Sequence, residues 1–169
     1  MALIILGVVT FLYANPFENQ ITLRQIKGLK VYVIALVWAL VTVLIPMFEL
    51  DLAVERQEYI KVFELFILVL ILMLPFEIRD MNFDDLKLST IPQNIGLKKT
   101  KQLGYLGVFF LGIIMLLNNG FSPIVSTILL LLLLGLALQK SHPKNHLNFT
   151  AFWVEAIPIF WWVSIWIFG

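Results

Sequence analysis

The stretch FEIRDMNFDDLKLSTIP, residues 76–92, places four carboxylates, Glu77, Asp80, Asp84 and Asp85, directly after an apolar run. On a continued helix Asp80 and Asp84 share one face, and Glu77 stands one turn earlier on nearly the same face. Like charges at that spacing repel by roughly 0.2–0.5 kcal/mol even in water, and more strongly near a bilayer, where the local dielectric is lower. Something positive must offset this: Arg79, Lys87 or a divalent cation. Magnesium binds through one or two carboxylates together with substrate phosphates rather than in a full protein cage, and an aspartate pair at a helix end suits that kind of site. The plainer reading is that charges just past a spanning helix are solvated loop residues. On either view Glu77 and Asp85 read as accessory or loop charges.

The rest of the chain says what must position these groups. Of its 169 residues 60% are hydrophobic and 14% charged, whereas soluble domains average about 45–50% apolar and about 25% charged. With a mean hydropathy of +0.93, this is the composition of an integral membrane protein. The net charge of +1 points to no nucleic-acid partner, and the absence of cysteine excludes disulfides, thiolate metal sites and cysteine nucleophiles. The N-terminus has no basic lead-in or small-residue cleavage site and does not read as a cleaved signal.

Six apolar segments stand out, at about 1–14, 31–48, 60–76, 103–117, 121–138 and 149–168. A spanning helix needs roughly 17–25 residues. The third segment reaches that length if Lys61 snorkels, the fourth if its helix runs through Asn118, and the first is short. The expected fold is therefore all-α, a single polytopic membrane helix bundle of about six transmembrane helices. Ten of the twelve basic residues fall in the first, third and fifth connections. The positive-inside rule then places 15–30, 77–102 and 139–148 in the cytoplasm, most simply at the plasma (inner) membrane of a bacterium. Both chain ends would lie outside. That topology and the short first segment make the chain read as the back part of something longer.

The motif has a further likeness. Asp80-x-x-x-Asp84, followed by Thr90-Ile91-Pro92 and Gly96, resembles the second aspartate motif of the UbiA superfamily of intramembrane aromatic prenyltransferases. Upstream, LYANPF and then Arg24, Lys27 and Lys30 in R-x-x-K-GLK-x-x-VIALVW are similar to that family's loop between its fourth and fifth helices. The resemblance covers essentially the whole chain, as helices four to nine of the family. It implies that Asp80 and Asp84 bind Mg2+, and that Tyr13, Arg24, Lys27 and Lys30 face a diphosphate. The implied reaction transfers a prenyl group from a prenyl diphosphate to an aromatic or other lipophilic acceptor. Two departures stand against it. Leu88-Ser89 replaces the Gly-Lys that the family carries before the threonine, and nothing here corresponds to the first, Asn-Asp-x-x-Asp-like motif. With half the metal site missing, the chain is expected to be incomplete or inactive alone.

The remaining polar residues have simpler readings. Lys98, Lys99 and Lys101 suit cytoplasmic anchors. His142 and His146 have metal-pair spacing, but Pro143 breaks the helix between them. Glu155 lies inside the last apolar segment and is a functional hypothesis by default, with reach to the headgroups or to Lys144 as its alternatives. Glu64, one turn after Lys61, reads as a local ion pair. Trp153, Trp161, Trp162 and Trp166 suit interface belts, and Asn148-Phe149-Thr150 is a glycosylation sequon in form only. Besides the prenyltransferase reading, two others remain: a non-catalytic relative that binds a lipid, a quinone-like molecule or a partner protein, and a small transporter using Glu155. No matching pair of broken helices supports the transporter.

Overall fold

The computed structural model describes residues 29–82, 90–118, 123–144 and 149–168. The first apolar segment, Tyr13, Arg24, Lys27, Asp84, Asp85, Lys87 and His146 lie outside the described residues. The described residues are all-helical. Helix α1 runs Leu29–Glu49, α2 Arg56–Asp80, α3 Ile91–Leu117 and α4 Ile124–Lys140. A π-helical turn, Phe149–Val154, then leads into α5, Ile157–Phe168.

Four of these segments are long and apolar enough to cross a membrane: Lys30–Glu49, Arg56–Asp80, Ile91–Leu117 and Phe149–Phe168. The apolar α4 has 17 residues, at the lower limit for a span. The last span counts as one because the backbone stays bonded across its break: Ala156 N–H donates to the Phe152 carbonyl and Phe160 N–H to the Ala156 carbonyl, both at 2.9 Å.

Two boundaries differ from the sequence reading. The third connection, expected from 77 to 102, is far shorter, because α2 continues to Asp80 and α3 already begins at Ile91. The span of α3 thus gains its length before residue 103, not at Asn118. Its opening turn is separated from the rest by Gly96, at φ 79° and ψ 159°, a region that only glycine occupies at low cost. Nothing lies within 4 Å of a Cβ placed there, so the backbone, not crowding, demands the glycine. Thr100 Oγ1 donates to the Gly96 carbonyl at 2.9 Å and satisfies an acceptor that the break would otherwise strand.

The chain divides into two units, Met1–Leu70 with Asp85–Thr90, and Ile71–Asp84 with Ile91–Gly169. In the first, α1 buries Val31, Ala35 and Ala39, spaced four apart on one face. In α2 of this unit Lys61 Nζ meets Glu64 Oε2 at 3.4 Å with both side chains largely buried, as the spacing predicts.

In the second unit, α3 and α4 approach closely through glycines. A Cβ on Gly104 would stand 2.7 and 2.8 Å from the Leu138 methyls, and one on Gly112 would stand 2.9 Å from Leu131 Cδ1. Gly107 likewise faces Ile71 of α2. Small residues that let backbones approach are how membrane helices gain contact, because lipid offers no hydrophobic drive between them. The core here is Ile71, Leu74, Ile78, Leu111, Leu130, Leu134 and Leu138. Outward-facing Phe109, Leu117, Phe152, Trp153, Trp162 and Trp166 are exposed, an apolar surface that fits a membrane protein.

Candidate functional site

The last turn of α2 carries the first half of the acidic motif. Its geometry begins at Pro75, which has no N–H for the Ile71 carbonyl and so interrupts the helix ladder one turn before the charges. Beyond it Glu77 is buried at 4% exposure and Ile78 is fully buried. Glu77 is therefore no loop charge: the helix runs one turn further than hydropathy alone suggests, and takes this carboxylate inside.

Arg79 answers the question of what offsets Asp80. Its Nε–H donates to Oδ1 and its Nη2–H to Oδ2, the latter at 2.7 Å, forming a bidentate fork. The third edge of the guanidinium, Nη1–H, donates to Thr150 Oγ1 in the π-helical turn. The Phe76 ring lies beneath, 5.5 Å from ring centroid to Cζ, within cation–π range. Thr150 has no exposed surface, whereas the Asp80 side chain keeps 35% of its own. The pair is thus anchored on its arginine side and open on its aspartate side.

Two further bonds fix the surroundings. Gln93 Nε2 donates to the Met81 carbonyl at 3.2 Å and ties the first turn of α3 to the residue after α2. Lys101 Nζ donates to the Gln139 carbonyl at 2.8 Å, one of the last carbonyls of α4, where a cation also meets the negative end of the helix dipole. Lys98 and Lys99 are exposed, so of the three lysines Lys101 alone has this packing role.

Of the five residues expected to hold metal or diphosphate, Lys30 and Asp80 are described. Lys30 lies in the first turn of α1, in the first unit, and Asp80 in the second. Arg24, Lys27 and Asp84 lie outside the described residues. Glu155 is exposed at the junction of the π turn and α5, and no Lys144–Glu155 ion pair forms among the described residues. His142 Nδ1 accepts from the Lys144 N–H at 3.2 Å, a local turn bond. Sequence reasoning missed Thr150 and Gln93; both act through partners that sequence spacing does not reveal.

The oxygen donors fit a hard cation. A carboxylate offers about four lone-pair sites, and the fork of Arg79 takes two, leaving the exposed side of Asp80 able to bind Mg2+. Among the described residues no three His, Asp or Glu side chains converge. An ion at Asp80 would therefore complete its shell with phosphate oxygens and water, as magnesium commonly does. Once bound, it would supply a Lewis acid for charge developing on a departing phosphate. Comparison with protein-family models, curated proteins and solved structures found no match.

Proposed function

We propose that this chain is a UbiA-like membrane protein that binds a prenyl diphosphate through Mg2+ at Asp80 and Asp84. Arg24, Lys27 and Lys30 supply basic contacts, and the chemistry served is prenyl transfer to an aromatic or other lipophilic acceptor. The observation that carries this reading is the Arg79–Asp80 fork at the end of a 25-residue apolar helix. It sets a carboxylate able to take a divalent cation beside a guanidinium able to take phosphate oxygens. Gly96 adds support, because the glycine in the tail of the motif is held in a conformation that needs glycine. In this reading the bundle has about six spanning helices, and the Asp80 end faces the cytoplasm of a bacterium.

The family reaction also uses a first aspartate motif, which these 169 residues do not contain. Binding, not turnover, is accordingly the property of this chain to measure. Geranyl diphosphate binding to the chain in lipid nanodiscs should require Mg2+ and fall at least about tenfold in Asp80→Asn, the factor expected for one lost charge-assisted interaction. Equal binding with or without Mg2+, or in Asp80→Asn, would remove the proposal. The fork also neutralises Asp80, which favours as second reading a non-catalytic member of the same fold that holds a lipid or quinone-like molecule. Binding of a quinone with no competition from geranyl diphosphate would select it.

A further inference from the structure

The geometry points to Thr150 as a latch that holds Arg79 on Asp80 until a diphosphate draws the guanidinium away, so that cation binding at Asp80 depends on the anion. This rests on the reading of Asp80 as a magnesium–diphosphate group. It begins from an oddity of the fork itself. Arg79 and Asp80 are adjacent on a helix, and adjacent residues do not face each other. For both carboxylate oxygens to accept from Arg79, as they do, the guanidinium must turn back along its own helix. An arginine side chain has many rotamers to lose in doing so, and something outside the helix must hold it there.

Thr150 is that hold. It takes the one guanidinium edge that Asp80 does not use, from a fully buried position in a π-helical turn, a local geometry often found at functional sites. Phe76 fixes the plane from one face. Gripped in this way, the guanidinium stands over Asp80 as a fixed positive charge. A divalent cation approaching the carboxylate is repelled twice as strongly as a monovalent one would be. A diphosphate changes the balance, because its oxygens match the fork bidentately and carry more negative charge than one carboxylate. When Arg79 moves to the phosphate, Asp80 is released to the metal. The latch thus orders the two ligands: the anion arrives with or before the cation, and stray cations do not occupy the site.

Thr150 is a positioning residue in this scheme, and the test uses Mn2+, a carboxylate-preferring probe, added alone to the chain in nanodiscs. Thr150→Val keeps the shape of the side chain and removes the hydroxyl; Thr150→Ser restores the hydroxyl. The latch requires Thr150→Val to bind Mn2+ more tightly than the wild type, by about tenfold for one charge-assisted hydrogen bond released, and Thr150→Ser to behave as the wild type. Arg79→Lys, which has no fork to span both oxygens, should also gain Mn2+ affinity, and it decides the matter if the valine variant does not fold. Unchanged or weaker Mn2+ binding in the variants that fold overturns the latch. A separate arm measures radiolabelled inorganic pyrophosphate retained with Mn2+ by wild type and Asp80→Asn. Loss in Asp80→Asn with no gain in Thr150→Val leaves the diphosphate reading standing and sinks the latch alone. Full retention in Asp80→Asn overturns both.

Discussion

Gly104 of α3 lies directly beneath the end of Leu138 of α4, so close that an added Cβ would stand 2.7 Å from one Leu138 methyl and 2.8 Å from the other. Leu74 blocks a third direction at 3.1 Å, and Leu138 is fully buried. Rotating the leucine exchanges one clash for the other.

Gly104→Ala should therefore destabilise the fold. Overpacking costs about 1–3 kcal/mol, more than the roughly 0.8–1 kcal/mol that Ala gains over Gly as a helix former. Gly135→Ala is the control, because nothing lies within 4 Å of a Cβ there; it should be neutral or stabilising by up to about 1 kcal/mol. Unfolding in a denaturing-detergent titration, followed by tryptophan fluorescence, ranks the two. The reverse order would contradict the packing described.

Gly96→Ala tests the backbone rather than space. At φ 79° and ψ 159° an alanine should cost about 1–3 kcal/mol despite the empty surroundings. The same titration reads the loss, and Gly96→Asn should recover little, because this region lies outside the left-handed helical well that asparagine tolerates. An alanine variant as stable as the wild type would mean that the break in α3 is not held as described.

Lys61 and Glu64 form an ion pair whose side chains are 13% and 8% exposed. Lys61→Met leaves the Glu64 carboxylate short of that cation and should cost about 1–3 kcal/mol, the usual range for a buried polar group that loses a partner. Lys61→Met combined with Glu64→Leu should lose less than Lys61→Met alone, because replacing both members of a buried pair by apolar groups is often neutral. A double-mutant cycle in the same titration measures the difference, and strict additivity would show that the pair is not coupled.

Lys101→Met removes the donor at the Gln139 carbonyl. The bond lies at the surface, so the expected loss is small, about 0.5–1 kcal/mol. The readout with more contrast is hydrogen exchange in Gln139 and Lys140, which should speed up in Lys101→Met while Lys98→Met leaves it unchanged. Equal exchange in both variants would assign Lys101 to the same anchoring role as its neighbours.

Long apolar runs make the helices legible in the sequence: the run at 31–48 marks α1, which spans Leu29–Glu49. The opening of α3 is hidden because QNIGLKKTKQ is polar, and hydropathy discards a polar helix. Its signal lies elsewhere, in the spacing of Thr100 and Gly104, both buried four residues apart. At the site, Arg79 is legible as a partner of the carboxylates because charge balance is local. Thr150 is not, because its bond to Arg79 joins positions 71 residues apart, and only packing brings them together. Glu77 reads wrongly as a loop charge for the same reason that α3 reads short: the helix outlasts its hydrophobic stretch.

The π-helical turn at Phe149–Val154 sets the angular register of everything after it. A π turn closes each hydrogen bond over one residue more than an α turn, so it holds an extra residue that the helix can lose without losing its path. Deleting one residue there would let the turn relax to α geometry and swing α5 by about 100° about its own axis. Trp162 and Trp166, now exposed, would turn away from the surface they occupy, while Thr150 and its bond to Arg79 could survive. The last helix is in this sense an adjustable dial, its outward face chosen by a single residue of chain length and not by its own sequence.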